Sequence, residues 1–183
     1  MRKLIISTLI ILLYCLDNCN AQQRNSSTVG LAFGYMQNGL GLKLNYDYNL
    51  SRREYLQGSI LLGFARDKLN DLNIKVPYDQ VYFNTGYFYE IGNFNRDGIL
   101  INIGGGASFG YQILNDGNQE LSNGALIVSK TKFVYGVFVG ADVKFYVSDN
   151  WTATIHLNEY YHANSDIGYF TPFIGASINY TLF

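Results

Sequence analysis

Between Gly39 and Leu50 the chain reads GLGLKLNYDYNL. Its even positions hold Leu40, Leu42, Leu44, Tyr46, Tyr48 and Leu50; its odd positions hold Gly39, Gly41, Lys43, Asn45, Asp47 and Asn49. An extended strand sends successive side chains to opposite faces, so one face of this window is wholly apolar and the other polar or bare. A helix would scatter both sets around its circumference. Seven further windows repeat the alternation: Thr28–Gln37, Leu56–Asp67, Asp79–Ile91, Ile99–Gln112, Phe133–Val147, Trp151–His162 and Tyr169–Phe183. Leu61 falls out of pattern in its window.

Turn residues separate the windows: Asn38-Gly39, Ser51-Arg52-Arg53, Asp97-Gly98, Asp116-Gly117, Asn123-Gly124 and Ser148-Asp149-Asn150. Eight strands joined by short turns pair antiparallel and can close into a barrel without exposed edges. The pattern predicts an all-β fold, an eight-stranded antiparallel up-and-down barrel over 28–183, with 22–27 as a short lead.

Alternation alone does not say which face meets solvent. A soluble barrel turns its apolar face inward and covers the outside with charge. Here the polar face is mostly Gly, Ser, Asn, Thr and Gln, which suits an interior of limited volume. Its few charges come in both signs at close spacing, Lys43 with Asp47 and Asp142 with Lys144, with Glu90 elsewhere. Buried charges must be paired, and a narrow lumen can pair them across strands. The apolar face is nearly free of charge and rich in tyrosine toward strand ends: Tyr35, Tyr46, Tyr48, Tyr87, Tyr89, Tyr111, Tyr146 and Tyr180. Phenol rings placed there match the interfacial girdles of a transmembrane β-barrel. Arg66 and Glu159 break the apolar face near strand ends, where a charge costs little.

Composition agrees. The 183 residues are 48% apolar and 16% aromatic but only 15% charged, against about 25% charged in soluble domains. That excludes a disordered chain. A formal net charge of −1 excludes a generally basic nucleic-acid binder.

Residues 1–21 read as a cleaved secretory signal. Arg2 and Lys3 precede the apolar run Leu4–Leu16, and the segment ends in Ala21. Both cysteines, Cys15 and Cys19, lie inside it, so disulfide, zinc-thiolate and cysteine-nucleophile chemistry are excluded from the mature chain. Neither follows the small residue that lipid attachment favours. Removing the segment takes away Arg2, Lys3 and Asp17 and leaves 11 basic against 13 acidic residues, from 13 and 14 in the whole chain.

An even strand number returns both mature termini to the periplasmic side, from which an exported chain enters the outer membrane. The connections 50–55, 92–98 and 148–150 then lie on that side. The connections 37–39, 67–78, 113–130 and 163–168 lie outside, the two longest among them.

Candidate chemistry is sparse. His156 is expected to point into the lumen beside Thr154 and Asn158. His162, Ser165 and Asp166 are close in sequence at the loop end, but nothing marks an oxyanion hole. Gly104-Gly105-Gly106 with Gly110 does not match a dinucleotide fingerprint, and no helix follows to meet a phosphate. It reads as lumen glycine. Arg52-Arg53 reads as a turn at the membrane surface. No His, Asp or Glu group has metal-ligand spacing. The expectation is therefore a non-enzyme with no catalytic, cofactor-binding or metal residues. A lumen this narrow is filled by its own side chains, so function is expected on the loops, at the ends or on the outer wall. The loop 113–130 carries an apolar patch, Ala125–Val128, suited to docking.

The stretches IKVPYDQVYFNTGYFYEIG (Ile74–Gly92), FVYGVFVGADVKFYVSDNWTATIHLNEYYHANSDIGYF (Phe133–Phe170) and the terminal GASINYTLF resemble the TraO family of conjugative-transposon transfer proteins. The resemblance implies a small outer-membrane component of the machinery that moves DNA between cells. Its implied partners are membrane lipid and other proteins of that apparatus, without direct nucleic-acid contact or cofactor. The alternative is a general small outer-membrane barrel, an adhesin or envelope stabiliser, with no role in transfer.

Overall fold

A computed structural model describes residues 26–69, 74–94, 98–114, 131–165 and 168–182, with backbone alone over 66–69 and 74–76. Eight strands form the fold: β1 Ser27–Met36, β2 Gly39–Ser51, β3 Glu54–Leu69, β4 Ile74–Phe94, β5 Ile99–Leu114, β6 Lys132–Tyr146, β7 Trp151–His162 and β8 Phe170–Leu182. Each pairs antiparallel with its sequence neighbour, and β8 pairs with β1 to close the barrel. Closure satisfies every strand edge, the condition for crossing a bilayer with strands. The signal segment 1–21 with Cys15 and Cys19, the patch Ala125–Val128, Asp166 and the Arg66 side chain lie outside the described residues.

One end of the barrel, the terminal end, holds Ser27, Leu182, the turn 52–53 and 147–150, with Phe94 and Ile99. The other, the loop end, holds the turn 37–38, with Leu69, Ile74, Leu114, Lys132, His162 and Phe170. The faces are turned as the alternation predicts. Ile178 and Val139 are 66% and 63% exposed on the outer wall, while Lys43 and Asp142 are 0% exposed in the lumen. A barrel dissolved in water would gain by the reverse assignment; lipid as the surrounding solvent favours this one. Outward aromatic residues gather in two belts. Tyr46, Tyr48, Tyr87, Tyr89, Trp151 and Tyr180 lie toward the terminal end, and Tyr35, Tyr111, Tyr135, Tyr161 and Phe170 toward the loop end. On β7, Trp151 and Tyr161 are separated by a rise of about 3.4 Å per residue at a tilt of about 40°, which sets the belts roughly 25 Å apart, the height of a lipid-facing band.

The structure departs from the sequence reading in four places. The connection expected over 67–78 is mostly strand, since β3 and β4 stay paired as far as Leu69↔Ile74. Above the lipid band nothing enforces an apolar outer face, so a backbone ladder can continue where alternation stops. The first turn centres on Gln37–Asn38, one residue before the expected Asn38-Gly39, with Asn38 taking the left-handed conformation at φ 62°. Asparagine tolerates that conformation better than other non-glycine residues. Tyr146, expected in the girdle, is buried in the lumen, where it shares a face with Asp142 and Lys144.

The fourth departure is the content of the lumen, which is not only small and polar. Tyr55, Phe88, Phe138, Tyr160 and Tyr82 stack through it, with ring centroids 5.0 Å apart for Tyr55–Phe88 and 5.4 Å for Phe138–Tyr160. Leu61, the residue out of pattern, belongs to the same cluster. Glycines on the lumen face make room for these rings. A Cβ on Gly86 would meet Phe138 Cζ at 2.7 Å, and one on Gly104 would meet Phe88 Cγ at 2.6 Å.

A Cβ on Gly106 would press on the backbone of Thr85 and Gly86, whereas one on Gly58 meets nothing within 4 Å. Gly106→Ala is therefore expected to cost about 1–3 kcal/mol through overpacking. Gly58→Ala should be neutral or stabilise by up to about 1 kcal/mol, because alanine restricts the unfolded chain. Urea unfolding of both variants in detergent, with the native band followed on unheated gels, checks the contrast.

Candidate functional site: lumen network and outer wall

Lys43, Asp47, Asp142 and Lys144 are all buried in the lumen, partnered both by near neighbours and across the barrel. Asp47 on β2 accepts from Gln57 Nε2 (3.0 Å) and Asn45 Nδ2 (3.2 Å), and Lys144 on β6 reaches its Oδ2 at 3.5 Å. Lys43 Nζ donates to Gln57 Oε1 at 2.9 Å. The Lys144 ammonium also lies 3.5 Å from the centre of the Tyr55 ring, a favourable cation–π contact. Tyr55 in turn donates its hydroxyl hydrogen to Asp142 Oδ2 at 2.8 Å. The neighbours in sequence, Lys43 with Asp47 and Asp142 with Lys144, are not the bonded pairs. One belt of two acids and two ammonium groups thus ties β2 and β3 to β6.

Asp142 extends the belt. Its Oδ1 lies 2.7 Å from His156 Nδ1, and His156 Nε2 lies 2.9 Å from Ser177 Oγ. This acid–histidine–serine line is not legible in the sequence, where only His162, Ser165 and Asp166 stand close together. It has the order of a hydrolytic triad but not the chemistry. Asn179 Nδ2 donates to Thr154 Oγ1 (2.7 Å) and the Thr152 carbonyl (3.3 Å), so its Oδ1 faces Ser177, which donates to it at 3.1 Å. Ser177 thus has an acceptor for its single hydrogen other than the imidazole, which a serine held for proton transfer to histidine does not. All three residues are buried, and the strand N–H groups beside Ser177 belong to the ladders with β7 and β1. No donor pair is left to stabilise an oxyanion. The line braces β6, β7 and β8.

At the loop end His162 and Ser165 have separate partners, and Asp166 lies outside the described residues. His162 Nε2 lies 3.3 Å from Ser108 Oγ, and its ring stacks on Tyr82 at 4.3 Å. Ser165 donates instead to Gln112 Oε1 at 3.0 Å. Arg52 and Arg53 form the β2–β3 turn at the terminal end, as expected. Among the described residues no group of three or more His, Cys, Asp or Glu could hold a metal.

The outer wall carries one further feature. Across β6, β7 and β8 the register places Val139, Glu159 and Pro172 side by side, with Ala141, Leu157 and Ile174 in the row below. These residues line an open groove, where the small Ala141 stands between larger outward neighbours. Glu159 projects into it from β7.

A sequence profile described as conjugative transposon protein TraO matches residues 21–182. The chain belongs to the TraO family. No curated protein matches this TraO-family sequence significantly. Among solved structures, the N-terminal β-barrel domain of Pseudomonas aeruginosa OprF is 13% identical, with a TM-score of 0.60, over 88% of this chain and all of that one. A major outer membrane protein of Thermus thermophilus is 10% identical, with a TM-score of 0.64, over 86% and 99% of the two chains. OprG of Pseudomonas aeruginosa is 10% identical, with a TM-score of 0.59, over 88% and 98%. At such identities the likeness is one of fold, and it places the TraO chain among small outer-membrane β-barrels in architecture.

Proposed function

We propose that the protein is an outer-membrane barrel that serves as a structural and interaction component of a conjugative DNA-transfer apparatus. The observation that carries this reading is the TraO profile spanning residues 21–182. The lumen supports a scaffold rather than a conduit: stacked rings and the charged belt occupy it, so contacts with partners fall to the loops, the ends and the outer wall. In this reading residues 1–21 are removed on export, 22–27 form a lead, and both mature termini face the periplasm. It assigns no catalytic or cofactor-binding residue and no direct contact with DNA.

Deletion of the gene from a transposon-bearing donor should abolish transfer while the envelope keeps its resistance to detergent and antibiotics. Complementation should restore transfer, and a tag after Phe183 should resist external protease in intact cells. Normal transfer in the deletion strain would refute the assignment. Detergent sensitivity without a transfer defect would instead support the general envelope barrel.

A further inference from the structure

We infer that the groove around Glu159 is a docking seat for a membrane-embedded segment of another protein that presents a lysine or arginine among apolar side chains. The inference rests on the proposed place in a transfer apparatus and names the surface through which the barrel would join it.

Glu159 makes no hydrogen bond or ion pair among the described residues. Its cross-strand neighbours are Val139 and Pro172, and on the diagonals stand Val137, Ala141, Phe170 and Ile174, all apolar. It lies two residues inside Tyr161 on β7, about 5 Å closer to the midplane than the loop-end belt. A carboxylate at that depth costs the fold little, so its cost alone decides nothing. What decides is its surroundings: a lone acid opening onto an apolar groove can be matched only by a cation or donor carried on an apolar surface.

None of the described cations of the barrel is that partner. Lys43 and Lys144 are sealed in the lumen, Arg52 and Arg53 sit in a turn at the opposite end, and Lys132 starts β6 at the loop-end rim. A second copy meeting groove to groove would bring two Glu159 carboxylates together in a low-dielectric setting. Outer-leaflet lipid is also a poor occupant, because its phosphates carry the same sign as the carboxylate.

The test uses the full-length chain in donor cells carrying the whole transposon. Glu159→Lys and Ala141→Trp, which fills the groove, should each lower transfer about tenfold or more while the amount of heat-modifiable folded barrel is unchanged. Glu159→Gln, neutral and nearly isosteric, guards against a folding artefact and should lower transfer less. A photo-crosslinking residue at position 141 should give an adduct with an envelope protein, at an apolar segment containing Lys or Arg. Exchange of that cation for Glu should restore transfer to the Glu159→Lys strain. Wild-type transfer by folded groove variants would overturn the docking seat, as would an adduct with lipid or with a second copy. If the deletion strain itself transfers normally, the proposed function fails; if it is defective while the groove variants are normal, only the seat fails.

Discussion

Replacing Asp142 with alanine is expected to destabilise the barrel by about 3–5 kcal/mol, the penalty for stripping one partner from a buried ionic network. Asp142 is fully buried and holds three strands at once. It accepts from Tyr55 on β3 and pairs with His156 on β7, from its own place on β6. It also faces the ammonium groups of Lys43 and Lys144. Without it the lumen keeps two cations against the single carboxylate of Asp47, and Tyr55 and His156 each lose a partner. Asp142→Asn keeps the shape and the acceptor but not the charge, and should fall between alanine and wild type. Ser177→Ala removes one neutral contact and should cost only about 1 kcal/mol. Urea midpoints in detergent, read by the loss of the fast-migrating native band, rank the three. Equal midpoints for Asp142→Ala and Ser177→Ala would show that the belt contributes no more than an ordinary hydrogen bond.

The same belt shows where sequence reading stops. Period-2 alternation told which face Lys43, Asp47, Asp142 and Lys144 occupy, because face is set by parity alone. It could not tell who meets whom. Lys144 and Asp47 are separated by 97 residues, and they meet because strand tilt and register bring distant rungs to one height. The expectation that the lumen pairs its charges across strands is met by Lys144 with Asp47, while which residues meet is set by register. The lumen aromatics do carry a signal in the sequence: Tyr82, Phe88, Phe138 and Tyr160 sit at inward parity, and the glycines opposite them supply the missing volume. Glu159 was legible as a break in that face, but the groove beside it was not, since Ala141 and Pro172 become its neighbours only through the β6–β7–β8 register.

Arginine placed at Ile155, midway along β7 and facing out, is expected to cost about 2–4 kcal/mol when the barrel is folded into lipid, whereas the same residue at Tyr161 should cost about 0–1 kcal/mol. The difference comes only from depth. Ile155 lies between the belts marked by Trp151 and Tyr161, among Val143 and Ala176 on the adjoining strands, and an ion there has neither water nor a partner. Tyr161 stands at the loop-end belt, from which a guanidinium reaches the head groups. Both wild-type side chains are comparably exposed, 42% for Ile155 and 41% for Tyr161, so loss of packing cannot produce the asymmetry. If water rather than lipid bathed the wall, both arginines would be nearly neutral and the first would improve solubility. Refolding the two variants into phospholipid vesicles across a urea gradient measures the costs side by side. Equal costs at the two depths would remove the lipid-facing wall, and with it the reason the lumen holds the charge.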